Sequence, residues 1–483
     1  MGKKARTAIT PTREENFPEW YQQVIKAAEM AENAPVRGCM IIKPYGYALW
    51  ENMQSTFDGM IKDAEVQNVY FPLLIPLEFM SREADHVEGF AKECAVVTHH
   101  RLEAGEDGGL IPAGKLEEPY IIRPTSETII GDAMARWVQS YRDLPLKLNQ
   151  WCNVMRWEMR TRMFLRTSEF LWQEGHNAFE TAKEADDDAL KMLEAYREFV
   201  EDHLALPVIT GEKTVEERFP GADNTYTIEA MMQDGKALQA GTSHNLGQNF
   251  AKSIGIKFQG RNGDEEFAYT TSWGISTRLI GGMIMAHADD DGMIMPPRVA
   301  PHQVVIIPII REEQDAESLN IYINDLKAQL KGNNIRVRVD NRDMRTPDKM
   351  WDSIKKGIPV RVEIGMREME EGALTYVRRD LGKASKTTCS IAEFVKNTQN
   401  ILNEFHNDMF ARALAFREEN TKDAADLAGL KDHFEKDEIG FIRVPVAVME
   451  DDGYDAVMKE YSLTTRCTPF ANEGNTVIIG KAY

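Results

Sequence analysis

The chain has 483 residues, 43% hydrophobic and 28% charged, with a formal net charge of −20. That balance builds a folded protein of several domains and excludes collagen-like and intrinsically disordered classes. No apolar run approaches the roughly 18 residues of a membrane-spanning helix; the most conspicuous, Val304 to Ile310, is broken by Pro308.

Lys3, Lys4 and Arg6 precede no apolar segment, so no secretory signal is expected. Cys39, Cys94, Cys152, Cys389 and Cys467 form no C-x-x-C pair, which points to free thiols in a reducing, cytoplasmic setting. An evenly spread acidic charge would disfavour a polyanionic partner. Residues 301–400, however, hold 17 Lys and Arg against 15 Asp and Glu. That block is the least acidic part of the chain and the one open to nucleic acid.

In chain order, Tyr47 to Lys62 has helical spacing, and Asn68 to Pro76 reads as a buried strand closed by proline. Candidate strands follow at Asn149–Arg156, Thr225–Ile228 and Phe267–Thr271. Thr181 and Glu184 form a capping box that opens a helix with the apolar stripe Ala189, Leu193, Tyr196 and Val200. Strands with helices segregated from them predict an α+β unit over 1–295. The prolines at 296, 297 and 301 mark its end. Beyond them, Val304–Ile310, Glu317–Leu330, Arg336–Val339, Thr346–Lys356 and Pro359–Ile364 alternate as strands and helices, the pattern of a small α/β domain over 296–397. Ser390 to Glu393 caps a long helix leading into a last unit, 398–483.

Arg156-Trp157-Glu158 stands at a strand end, followed by Arg160-Thr161-Arg162 and by Arg166-Thr-Ser-Glu-Phe170. Strand residues two apart share a face, so Arg156 and Glu158 can grip one substrate: the guanidinium a phosphate or carboxylate, the carboxylate an exocyclic amine. Phe170 offers a plate for a base. Standing alone, R-x-E is far more often an ion-paired surface hairpin. Trp273-Gly274-Ile275-Ser276-Thr277-Arg278 supplies a glycine for close backbone approach and a second cation, although a Gly-kinked core helix has the same look. Two cations on one triphosphate would meet the main electrostatic need of nucleotidyl transfer.

Arg156-x-Glu158, Arg166-x-x-x-Phe170 and Gly274-x-x-x-Arg278 resemble motifs 2 and 3 of class II aminoacyl-tRNA synthetases, and Tyr47 to Pro76 resembles the helix and strand of motif 1. Arg123-Pro-Thr-Ser-Glu-Thr128, Phe170-Leu-Trp-Gln-Glu-Gly-His176 and Ala240-Gly-Thr-Ser-His-Asn-Leu-Gly-Gln248 are similar to prolyl-tRNA synthetases of the archaeal and eukaryotic type, a likeness that runs from about Trp20 to Tyr483. The resemblance implies an antiparallel class II catalytic domain flanked by helices, then an α/β anticodon-binding domain and a small α+β carboxy-terminal domain. It implies ATP with Mg2+, L-proline and tRNA(Pro) as substrates, and a homodimer without a membrane role.

By the same resemblance, Arg156 and Arg278 are catalytic. Thr125, Glu127, Arg156, Trp172 and His244 hold proline, with Glu127 on the secondary ammonium. The nucleotide falls to Arg156, Glu158, Arg166, Thr167, Phe170, Gln239, Thr242, Ser276 and Arg278, with Phe170 and Arg278 sandwiching adenine and Gln239 beside the magnesium. Gly357-Ile-Pro-Val-Arg-Val-Glu-Ile-Gly365 and Tyr376-Val-Arg-Arg379 look like the anticodon-binding domain, making Arg361, Glu363, Arg378 and Arg379 candidate base readers. Read without the family, they are alternating charges on solvated strand faces. The four cysteines that often bind zinc in the family's last unit are missing, since only Cys467 lies there, so no zinc is expected. Val444, Val446, Val448, Val457, Val477 and Ile479 are the expected apolar substitute. The terminal Gly480-Lys-Ala-Tyr483 looks like the family's ending, which folds back toward the active site.

Overall fold

The computed structural model of the chain describes residues 7–82, 93–310, 316–436, 438–472 and 475–483; Lys3, Lys4 and Arg6 lie outside them. Its backbone is an eleven-stranded sheet. In spatial order the strands are Thr421–Asp423, Phe441–Pro445, Thr476–Gly480, Thr464–Pro469, Val208–Glu212, Asn224–Met231, Ala237–Gly247, Tyr269–Ser276, Glu169–Phe179, Leu146–Met155 and Gln67–Asn68. Pairing is antiparallel except at the two edges, where Thr421–Asp423 and Gln67–Asn68 run parallel to their neighbours.

One face of this sheet is closed by helices. Pro44–Asp63 starts on a proline at its first turn, which costs no hydrogen bond there, and buries Leu49, Trp50, Met53, Phe57 and Ile61. Ala182–Glu198 is opened by the Thr181–Glu184 capping box and buries Ala189, Met192, Leu193 and Tyr196. Phe57 stacks on Tyr196 at 5.2 Å, and Tyr196 meets the edge of Trp273 at 6.3 Å. Trp273 pairs with Gly175 in the sheet, and a Cβ on Gly175 would stand 2.0 Å from the indole, so only glycine lets that ring lie flat on the back of the sheet. Because strand side chains alternate, the same packing turns residues 174 and 176 to the opposite, open face.

Residues 304–390 form a second sheet in the order Val337–Val339, Val304–Ile309, Val360–Gly365, Ala373–Arg378, Thr387–Ser390. The first three strands are parallel and the last two antiparallel. The β-branched run at 304–307 is buried on both faces, as a central parallel strand requires. Helix Ala316–Gly332 covers it with Leu319, Ile323, Leu326 and Leu330. Helix Ile391–Glu419 starts on Ser390, which accepts from the Glu393 amide at 3.2 Å, and runs uninterrupted past residue 397. Phe394 and Leu402 pack on the second sheet, whereas Phe405 and Met409 pack with Ala205 and Ile294 of the first block.

Three local expectations change. Asn68–Pro76 is not one strand: Gln67–Asn68 and Leu74–Pro76 are separated by an irregular stretch in which Tyr70 is exposed. Pro72 has no N–H for a ladder, and the neighbouring Phe71 bonds side chains instead, its amide reaching Gln150 Oε1 at 2.5 Å and its carbonyl Arg123 Nη1 at 2.8 Å. Phe267–Thr271 divides into Glu265–Phe267 and Tyr269–Ser276, which belong to different sheets. In the last unit Val444, Val448, Val457, Val477 and Ile479 are core with Phe434 and Leu430, but Val446 is exposed, because the chain leaves the sheet for a short helical turn there.

Candidate active site

Register brings the predicted residues together on the open face of the long sheet. Cys152, Trp172 and Ser276 form one row; Gln150, Glu174, Gly274, Thr242 and Thr227 the next; Leu148, His176, Ser272, His244 and Thr225 a third. Each strand contributes every second residue, so neighbouring rows share a face. Above them lies a cleft of about 320 Å3, walled by Thr125, Glu127, Arg156, Phe170, Gln239 and Arg278.

One end of the cleft is acidic. Thr125 Oγ1 donates to Glu127, the first residue of the helix Glu127–Trp137. Behind them Glu174 accepts from the Ser126 amide at 3.1 Å, Ser126 Oγ at 2.5 Å and Gln150 Nε2 at 3.1 Å, and lies 3.1 Å from His176 Nε2. Burial would raise this carboxyl, but the hydrogen bonds and the His176 charge outweigh it and hold it below the usual range. His176 is correspondingly raised: burial opposes its charge, and Glu174 and Glu127 overcome that. His244, by contrast, is pushed down to about 3, first by burial and then by His176. It is a neutral ring, 3.0 Å from Thr225 Oγ1 and tilted against Phe219 at 4.7 Å.

Two cations share the cleft with these carboxylates. Arg156 Nε donates to Pro124 O at 2.9 Å, and its guanidinium lies 5.7 Å from the Phe170 ring and 5.3 Å from Trp172. Arg278 opens the helix Arg278–His287 and donates through Nε to Leu165 O at 3.2 Å. Burial lowers its pKa to about 10, with Arg166 and Arg156 adding repulsion, so it remains charged at neutral pH.

The cleft collects Thr125, Glu127, Arg156, Phe170, Trp172, Gln239, Thr242, His244, Ser276 and Arg278, but not Glu158, Arg166 and Thr167. Glu158 accepts from the Arg160 amide at 2.7 Å and faces Arg166 at 3.7 Å. Arg166 Nη2 donates to the Tyr483 carbonyl at 3.3 Å, and Thr167 is buried on Glu169 O at 2.7 Å. Tyr483 also lies under Arg162 at 5.5 Å and donates to Asp234 at 2.5 Å, so the carboxy terminus packs on the loop between the two motif 2 strands. Sequence reasoning missed Glu174, His176, Lys213 and Ser272. The first two continue the alternation of Phe170 and Trp172 and were findable by that period.

The four candidate base readers divide among separate ion pairs. Arg361 Nε reaches Glu363 at 3.0 Å, and Lys386 reaches it at 3.2 Å. Arg378 is buried on Asp380 at 2.9 Å and Asp408 at 2.5 Å. Arg379 grips Asp289 of the first block with two bonds of 2.8 and 2.6 Å. Arg361, Arg378 and Arg379, with Met350, Trp351 and Lys383, line a second cavity of about 420 Å3.

Residues 113–287 match the class II core domain of tRNA synthetases (G, H, P, S and T), and residues 303–401 match an anticodon binding domain. A proline–tRNA ligase of Bdellovibrio bacteriovorus is 57% identical over 99% of this chain and 97% of its own length. One of Rhodopirellula baltica is 54% identical over 100% and 97%. Among solved structures, prolyl-tRNA synthetase from Cryptosporidium parvum, complexed with halofuginone and AMPPNP, superposes with a TM-score of 0.89 at 37% identity, covering 99% of both chains. With both domain types in order and end-to-end identity above half, the chain belongs to the proline–tRNA ligases, a family of class II aminoacyl-tRNA synthetases.

Proposed function

We infer that the chain activates L-proline with ATP, releasing pyrophosphate, and transfers the prolyl group to the 3′ end of tRNA(Pro). The observation that carries this is the charge collected in one cleft: the carboxylates Glu127 and the ionised Glu174 beside Arg156, with Arg278 as a second cation. A secondary ammonium suits the carboxylates. Trp172 and the neutral His244 provide walls for an apolar ring.

The substrate carboxylate is itself the nucleophile, attacking the α-phosphorus as the bond to pyrophosphate breaks, so no protein base is needed. The protein contributes position and charge. In this reading Arg156 bridges the proline carboxylate and the α-phosphate, and Arg278 meets the charge developing on the leaving group. Phe170 and Arg278 hold adenine between them, with Ser276 and Thr242 alongside. Glu158, Arg166 and Thr167 are assigned to the nucleotide as part of the motif 2 loop. Gln239 would hold the magnesium of ATP through its side-chain oxygen, and the ion would supply counter-charge to the phosphates.

We assign the middle unit to the anticodon, with Arg361 and Glu363 at the reading face. The cavity bearing Trp351, Arg361 and Lys383 has the aromatic and cationic lining that suits an unstacked base. The units are 1–295, 296–397 and 398–483, the second division falling within a connecting helix. A homodimer in the cytoplasm and a zinc-free last unit complete the reading; that unit packs Phe434, Val444, Val457 and Ile479 where metal ligands are missing from the sequence.

Pyrophosphate exchange measured with each amino acid tests the assignment. Proline should dominate, with alanine slow but measurable, because it lacks only methylenes worth about 1 to 3 kcal/mol each. Exchange led by another amino acid would make this a different synthetase; none with any amino acid would make it a tRNA-binding relative without chemistry.

A further inference from the structure

Next to Gln239 the floor of the cleft holds three buried charges that the activation chemistry above does not use. Glu229 is fully buried and pairs with Gln239 across the ladder. Lys213 Nζ lies 2.9 Å from its Oε1, while Arg466 grips Oε2 through Nε at 3.0 Å and Nη2 at 2.8 Å. All three side chains are at most 7% exposed, and Lys213 lines the cleft.

Two β-bulges build this cluster. Opposite Ile228 and Glu229 the partner strand carries Ala240 as an extra residue, and between Thr465 and Cys467 the extra residue is Arg466. A bulge re-aims a side chain, and the one at Arg466 brings it to Glu229, which shares its face with Thr227. Arg466 comes from the last unit, whose strand joins the long sheet through Thr468 and Pro469.

A clasp between the last unit and the rest needs only the Arg466–Glu229 pair, which is bidentate and neutral. Lys213 adds a second cation to a carboxylate already matched, and among the described residues its one ion pair is with Glu229. Burying an excess charge is costly unless a counter-charge arrives. Glu217, the other carboxylate of that wall, is exposed to solvent. The cluster lies across the sheet from the acidic end of the cleft, and Arg278 feels both Glu229 and Arg466.

We propose that Lys213, held in place by Glu229 and by Arg466 of the last unit, supplies counter-charge to the β- and γ-phosphates of ATP. Arg466 is then a positioning residue, and the nucleotide site is incomplete without the carboxy-terminal unit. The proposal rests on the assignment of the cleft to ATP, and the test separates the two.

Calorimetry on the full-length protein would compare ATP with AMP, which lacks the two outer phosphates. Lys213→Gln keeps a donor for Glu229 and removes the excess charge; ATP should bind at least tenfold more weakly and AMP within twofold of wild type. Arg466→Gln also brings the cluster to neutrality and should show the same split, and it serves alone if Lys213→Gln does not fold. Equal weakening of ATP and AMP, or ATP affinity within twofold of wild type in a folded variant, would overturn the proposal. Absence of proline-dependent exchange in the wild type would instead reject the assignment of the cleft.

Discussion

In the long sheet, Arg156 and Arg278 donate through Nε to backbone carbonyls, those of Pro124 and Leu165, which fix a guanidinium without neutralising it. In the middle sheet Arg378 and Arg379 end on carboxylates, Asp380, Asp408 and Asp289, which fix a guanidinium and neutralise it. The same residue type is therefore poised for an anionic ligand in one sheet and used to hold the chain together in the other. Arg361 lies between these cases, since Glu363 is shared with Lys386.

Arg156→Ala draws the contrast most sharply. Proline-dependent pyrophosphate exchange should fall about 10²- to 10³-fold, the usual worth of a preorganised donor aimed at transition-state charge, with the thermal midpoint nearly unchanged. Near-normal exchange in a folded variant would remove Arg156 from the chemistry. Arg361→Ala should behave oppositely, lowering tRNA charging about tenfold, from a lost base contact of about 1 to 3 kcal/mol, while exchange stays at the wild-type rate. If both activities dropped together, the middle sheet would be a support and not a reader.

Arg379→Ala should act on stability. Burial raises the Asp289 carboxyl, and the Arg379 bonds more than reverse this. Losing them should cost about 2 kcal/mol in denaturant unfolding and lower exchange and charging in parallel. A variant that lost charging alone would return Arg379 to the base readers.

The smallest effect concerns pH. His244 has a folded-state pKa of about 3, below the unfolded value of about 6.5, so between these values the unfolded chain binds the extra proton. Stability is then lost as pH falls through that window, and His287, His302 and His406, each lowered to about 4 by burial, add to the slope. In His244→Asn the slope of unfolding free energy between pH 6 and 4 should flatten by about one proton. An unchanged slope would mean that His244 is charged in the cleft.

Phe170, Trp172, Ser276 and Arg278 were readable because period-2 alternation and short motifs are local signals. Glu174 and His176 carried that signal too, but Gly175 between them gave no hint of Trp273 lying beneath it. The Arg379–Asp289 grip joins residues 90 apart and the Arg466–Glu229 pair residues 237 apart, and nothing local marks either. For the same reason the last unit read as a separate domain, although its strands extend the long sheet through Thr468 and Pro469. Such pairings are set by tertiary packing, to which spacing along the chain is blind.

The central claim is that the open face of the long sheet carries the whole of amino-acid activation. A single-turnover reaction of the full chain with ATP and labelled proline, without tRNA, tests it most directly. The account predicts enzyme-bound prolyl-adenylate and one pyrophosphate released per active site. Pyrophosphate release that required tRNA(Pro), or that proceeded equally well without proline, would contradict it.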